Sequence, residues 1–415
     1  MPSRRGVLCH ITSLPTGDMA SGLRFIDWLS AQGFDAWQIL PLTPPDRFGS
    51  PYASPSAFAG WPELSHLEKH VDLNKEAYWL EDWALYSAIK ESQKGLPWYE
   101  WPVELRDRHP EALSHWKNNI APFIEQQEQF QANWNALRDH ARFKSIQLIG
   151  DCPIFVSHDS ADVWAHRELF LLDEHGHPEF VTGVPPDYFS EDGQKWGTVL
   201  YDWSAHENEN WTWWKQRIQR MLRLYDSVRI DHFRGFHSSW AIPQEDEHAR
   251  NGFWQDGPKD SLIEALLECC SGSNQIIAED LGIIPQEVID LRKRHNLHGM
   301  AVLQFGFEGE LDSNPHHPRN ISFDQVVYTG THDNDTTRGW YIEATDEIKS
   351  NLSELAIDDE KPLQTMLRLA QSTDAELSII PLQDILDLDS SCRMNAPGTI
   401  EGNWIWKFDW SDINL

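Results

Sequence analysis

Ser227-Val-Arg-Ile-Asp231-His-Phe-Arg-Gly-Phe236 and Gln275-Ile-Ile-Ala-Glu279-Asp-Leu-Gly282 share one pattern: a short apolar, β-branched run stops at a carboxylate and then turns. Six more runs of this kind lie outward from them, at Gly6–His10, Ala36–Leu42, Ser145–Pro153, Met300–Phe307, Val326–Asp333 and Glu376–Leu382. Amphipathic stretches fall between several of them: Leu23–Gln32, Gln127–Phe143, Trp213–Leu224, Ser261–Cys269, Pro285–Arg294 and Lys361–Ala370. Strands alternating with helices predict a parallel sheet with right-handed crossovers. Eight such strands predict an α/β fold of the closed (β/α)8 barrel type, with an open doubly wound sheet as the alternative.

The spacing is uneven. Residues 43–144 separate the second and third runs and read as an inserted subdomain, with several Trp and Pro residues among helical pieces. Residues 154–226 read as an extended loop and helix region. The whole chain, 1–415, is then one catalytic barrel with two enlarged loops on its C-terminal face, where such barrels keep their sites.

Composition narrows the function classes. There are 65 acidic residues against 34 basic ones, a formal charge of −31, which opposes nucleic-acid binding. No stretch approaches 18 apolar residues and no secretory leader is evident, so a cytoplasmic protein that meets no membrane is expected. Five cysteines without a Cys-x-x-Cys pair suggest neither a disulfide framework nor a zinc cluster. The 19 histidines form no metal-ligand spacing beside the acids, and His316-His317 reads as surface. Oligomeric state is not legible. Tryptophan is the outlier, at 21 residues against 9 tyrosines. Most will be core, but an excess of flat rings also suits a protein that stacks on sugars.

Three strand ends carry acids: Asp231, Glu279 and, after Val327-Tyr-Thr-Gly-Thr-His, Asp333. Barrel strand ends converge on one mouth, and a carboxylate cluster there suits glycoside cleavage by a retaining route. One ionised carboxylate attacks the anomeric carbon, and a protonated one donates to the leaving oxygen. Arg229 shares a face with Asp231 and favours its ionised form, which makes Asp231 the expected nucleophile. Ile277 shares a face with Glu279; an apolar approach favours a protonated acid, so Glu279 is the expected acid/base.

These residues, with His10-Ile-Thr-Ser-Leu-Pro15, Trp37-Gln-Ile-Leu-Pro-Leu42, Ser50-Pro-Tyr52, Ser56-Ala-Phe-Ala-Gly60, Gly150-Asp-Cys-Pro-Ile-Phe-Val156, Gly183-Val-Pro-Pro-Asp187-Tyr-Phe-Ser190 and Arg393-Met-Asn395, resemble the 4-α-glucanotransferases, or amylomaltases, of the α-amylase superfamily. The resemblance runs over nearly the whole chain. It implies transfer of α-1,4-glucan segments between maltooligosaccharides, without a metal or organic cofactor. It places the family's nucleophile on Asp231, its acid/base on Glu279 and its transition-state-stabilising acid on Asp333. Sugar contacts would fall on Tyr52, Asp187, Gln194, Trp196, Arg229, His332 and Asn395, with His232 added. A hydrolase using the same acids and a non-catalytic glucan-binding relative are the competing readings. The chain departs from the family at the rim. Leu14–Gly22 is clipped, Trp196-Gly is followed by Thr198-Val, and the acidic contact after the sixth strand falls on Glu308 or Glu310.

Overall fold

The computed structural model describes residues 4–186, 191–399 and 401–413. All eight expected runs are strands of one parallel sheet. They are β1 (Arg4–Leu8), β2 (Ala36–Gln38), β3 (Gln147–Cys152), β6 (Ser227–Ile230), β9 (Ile276–Ala278), β10 (Gly299–Val302), β11 (Gln325–Tyr328) and β12 (Leu377–Pro381). Each pairs with its chain neighbours in the order β10-β11-β12-β1-β2-β3-β6-β9. The circle closes between β9 and β10, where Ile277 and His298 form a parallel bridge and the Ala278 N–H donates to the His298 carbonyl at 2.7 Å. The sheet is therefore a (β/α)8 barrel and not an open doubly wound one.

Strand alternation sorts the residues into two sets. Leu8, Ala36, Ile149, Ile277, Met300, Val302, Val326, Tyr328, Leu377 and Ile379 fill the barrel interior. Val7, Trp37, Leu148 and Val228 point outward, under the helices Met19–Ala31 and Ala121–Phe143. Gly150 faces outward against Tyr225, where an added Cβ would lie 2.1 Å from the ring. Trp37, Trp98, Trp134, Trp164 and Trp214 are fully buried, so most of the tryptophan excess builds core.

The long connections hold structure of their own. Residues 43–144 carry the helices Ala77–Ser92 and Ala121–Phe143, which pack on one another. The region 154–226 carries, besides the expected helix, the strands β4 (Phe180–Val184) and β5 (Gln194–Val199). These join β7 (Ser238–Pro243) and β8 (Phe253–Asp256), from the loop after β6, in an antiparallel sheet of order β5-β4-β7-β8. Turn-forming residues hid β4 and β5 in the sequence, and their partner strand β7 lies in a different loop. Two other expectations need correction. The seventh strand ends at Tyr328, so Asp333 sits in the loop beyond it. His317 is buried and His316 half-buried, its Nδ1 accepting the Val302 N–H at 3.3 Å, so neither is a surface residue.

Candidate active site

The C-terminal ends of β3, β6 and β9 meet around Arg229. Its side chain is buried, and one guanidinium nitrogen donates to Asp151 and another to Asp231, each at 2.5 Å. Burial by itself would weaken the charge on Arg229, but Asp151 and Asp231 outweigh it and hold the guanidinium firmly protonated. Asp231 follows β6 directly, and its N–H donates to the Cys152 carbonyl at 3.0 Å, which hooks the strand end to β3. His232 then adopts a left-handed backbone, with φ of 50°, and turns the chain sharply over the mouth.

Glu279 is fixed from both sides. Its N–H donates to the Ile230 carbonyl at 3.0 Å, while its carbonyl accepts from Phe233 at 3.1 Å. The carboxylate accepts the N–H of His232 at 2.7 Å and of Leu281 at 2.9 Å. Burial pushes the Glu279 carboxyl up to about 7, and the nearby charge of Asp231 adds to this. Arg229 and the two backbone N–H groups pull in the other direction and lose.

Asp333 is held from the C-terminal segment. Asn395 Nδ2 donates to its carboxylate at 2.6 Å, His332 Nε2 lies 3.4 Å from the same oxygen, and Arg393 donates to its backbone carbonyl. Tyr52 spans the gap to the β3 side. Its ring stacks on His332 with centroids 5.1 Å apart, and its hydroxyl donates to Asp151 at 2.7 Å. Burial, then the neighbouring Asp151, keep the Tyr52 phenol well above its ordinary range, and Asp231 and Asp333 both bear on it in the same sense. Glu279 acts on Arg229 in turn. Asp231, Glu279 and Asp333 thus belong to one network of charges that runs through Tyr52 and Arg229.

The remaining expected contacts line the rim. Trp196 is exposed on β5, its ring edge-on to His232 at 4.9 Å, and its indole N–H donates to Gln194 at 3.1 Å. Burial lowers the His232 imidazole to about 4, so it is neutral near neutral pH. Asp187 lies outside the described residues. Glu308 and Glu310 are both exposed. Two residues of the cluster were not picked out from the sequence. Asp151 is the penultimate residue of β3, and an acid near the end of an apolar run, as Asp231 is just after β6, was the available signal. Trp404, whose ring lies 5.7 Å from Tyr52, had none.

A (β/α)8 barrel whose mouth gathers a raised carboxyl, a carboxylate paired with arginine and a third acid beside stacked rings defines a glycoside-processing enzyme. Comparison with known proteins makes this specific. The 4-alpha-glucanotransferase family matches residues 9–73 and 65–412, and the chain belongs to that family; it is a glucan transferase. The chloroplastic/amyloplastic 4-alpha-glucanotransferase of Solanum tuberosum is 41% identical, over 97% of this chain and 82% of its own length. That of Thermus thermophilus is 39% identical, covering 98% and 95%. This last alignment spans 476 positions, more than the 415 of the chain, so the relative carries segments that this chain lacks. The amylomaltase of Streptococcus agalactiae, solved in complex with acarbose, superposes with a TM-score of 0.93 at 32% identity, covering 99% of this chain and 96% of its own.

Proposed function

We propose that the protein moves α-1,4-glucan segments between maltooligosaccharides by a retaining double displacement. Asp231 attacks the anomeric carbon of the donor sugar, and Glu279 delivers its proton to the departing glycosidic oxygen. The bond to the leaving chain breaks as that from Asp231 Oδ to carbon forms, giving a glycosyl-enzyme and a shortened glucan. Glu279, now ionised, takes the proton of an incoming 4-hydroxyl, whose oxygen displaces Asp231. Asp333, held by Asn395 and His332, binds sugar hydroxyls where charge develops.

The single observation that carries this reading is the raised carboxyl of Glu279 close to an Asp231 carboxylate that is paired with Arg229. Glu279 is raised to about 7 partly by the charge on Asp231. Esterifying Asp231 removes that charge, so Glu279 becomes more acidic at the step where it must act as base. Tyr52, Gln194, Trp196, Arg229, His232, His332 and Asn395 surround the sugars in this account, and Asp187 belongs to the same set.

We assign the whole chain to one catalytic barrel with 43–144 and 154–226 as its enlarged loops. Five cysteines without a disulfide among the described residues suit the cytoplasm. No helix of the described residues is long and apolar enough to cross a membrane. Incubation with maltotriose alone tests the activity. A ladder of longer products plus glucose is expected, whereas maltose and glucose with nothing longer would overturn transfer in favour of hydrolysis.

A further inference from the structure

The strand end that carries Glu279 also carries Asp280, for which the proposed reaction has no use. It stands at the thinnest junction of the barrel. The other neighbouring strands are joined by continuous parallel ladders, whereas between β9 and β10 one bridge, Ile277 to His298, closes the circle. Beyond that bridge a side chain takes over from the ladder. One oxygen of Asp280 accepts the N–H of Met300, in β10, at 2.8 Å. Its other oxygen lies 3.1 Å from Nε of Arg292, and both side chains are buried. Arg292 comes from the helix Gln286–Arg294. Its Nη1 donates to the Leu297 carbonyl at 2.8 Å, and to the carbonyl and carboxylate of Asp324, just before β11, at 3.0 and 3.1 Å.

The sequence makes room for this pair. β10 begins with Gly299, where a Cβ would lie 2.7 Å from Asp280 Oδ2 and 2.8 Å from Arg292 Nε. Glycine there lets the carboxylate and the guanidinium meet against the backbone. The pair matters because of its neighbour. Glu279 is tied on the β6 side, by Ile230, Phe233 and His232. On the β10 side the ties fall to the residues that flank it. The Ala278 N–H donates to His298 at 2.7 Å, and Asp280 holds Met300. Two adjacent carboxylates thus leave the chain toward opposite neighbours. Desolvating two charges offsets most of their attraction, so a buried ion pair adds little net stability over an apolar one. What this pair adds is placement: with one oxygen on a backbone N–H and the other on a guanidinium, Asp280 has a single position relative to β10. A general acid needs such placement, because its proton must lie within hydrogen-bond reach of the leaving oxygen.

We infer that Asp280, paired with Arg292, is a positioning residue: by fixing the end of β9 to β10 it sets the reach of Glu279 toward the leaving oxygen. This rests on the acid role proposed for Glu279 above. The test compares two donors by initial rates. Maltotriose needs a proton on its leaving oxygen, whereas α-maltosyl fluoride releases fluoride, a weak base that departs without one. Asp280→Ala is expected to lower kcat/KM for maltotriose about 10²-fold, mostly through kcat, and for maltosyl fluoride by less than about threefold. Asp280→Asn keeps an acceptor for the Met300 N–H and should regain roughly tenfold of the loss on maltotriose. Glu279→Gln serves as the reference and should show the same split between donors. Equal losses on both donors in Asp280→Ala, or no loss on either, overturn the positioning role and leave the acid role standing if Glu279→Gln keeps its split. Equal losses in Glu279→Gln overturn the acid role and this inference together. Where the melting temperature shows that Asp280→Ala does not fold, Asp280→Asn carries the same comparison.

Discussion

The carboxylate of Glu279 accepts the backbone N–H of His232 at 2.7 Å, and His232 is the residue that follows Asp231. One hydrogen bond thus ties the proposed proton donor to the turn that carries the proposed nucleophile. The left-handed backbone of His232 brings that N–H round to face β9. The two acids are set relative to one another by main chain rather than by flexible side chains alone.

Glu279 must be protonated when it donates, and burial raises it to about 7. Above that pH the proton is lost, so glycosylation is expected to fall as pH rises through about 7. A pH profile of kcat/KM for maltotriose should show this descending limb. Glu279→Gln should lower kcat by about 10²–10⁴-fold and abolish the limb. A limb that survives in Glu279→Gln would assign it to another group.

Asp231→Asn is expected to remove transfer, with a loss on the order of 10⁴-fold or more, because the nucleophile has no substitute in the cleft. With a slow-turnover fluorinated maltosyl donor, mass spectrometry of peptides should find the label on Asp231. Label on any other carboxylate would overturn the role given to it.

Arg229 pairs with two carboxylates inside the barrel, and among the described residues no other cation hydrogen-bonds Asp151. Arg229→Ala leaves Asp151 buried without its counter-charge, which costs about 3–5 kcal/mol. Denaturant unfolding should show the loss. Arg229→Lys keeps one charge but cannot reach both acids in the same geometry, so activity should fall well below wild type even where the fold survives.

Gly183 lies where β4 meets β5, and a Cβ there would sit 2.0 Å from the Gln194 carbonyl. Gly183→Ala must therefore push β5 away and shift Gln194 and Trp196 at the rim. We expect a higher KM for maltotriose with smaller change in kcat, and a stability loss of roughly 1–3 kcal/mol. Unchanged KM would detach this edge from sugar binding.

The barrel was legible because its signal is local. Each strand is a short apolar run, and fully buried parallel strands need only that, bounded by turns. The pairing of Arg229 with Asp231 was legible as well, since residues two apart on a strand share a face. The burial that raises the Glu279 carboxyl was foreshadowed by Ile277, which shares its face. The antiparallel sheet of β4, β5, β7 and β8 was not readable in this way, since its pairs join segments from two different loops.

What the sequence determined by itself was the set of parts: eight strands, three acids and the family they belong to. Only the tertiary structure decided that Asp333 stands on a loop held by Asn395, that Tyr52 reaches Asp151 across 99 residues of chain, and that Trp404 stands beside Tyr52. The reason is physical. Periodicity records which face a residue shows to its own element, whereas these contacts join elements far apart in the chain, and no local pattern encodes which distant partner packing will supply.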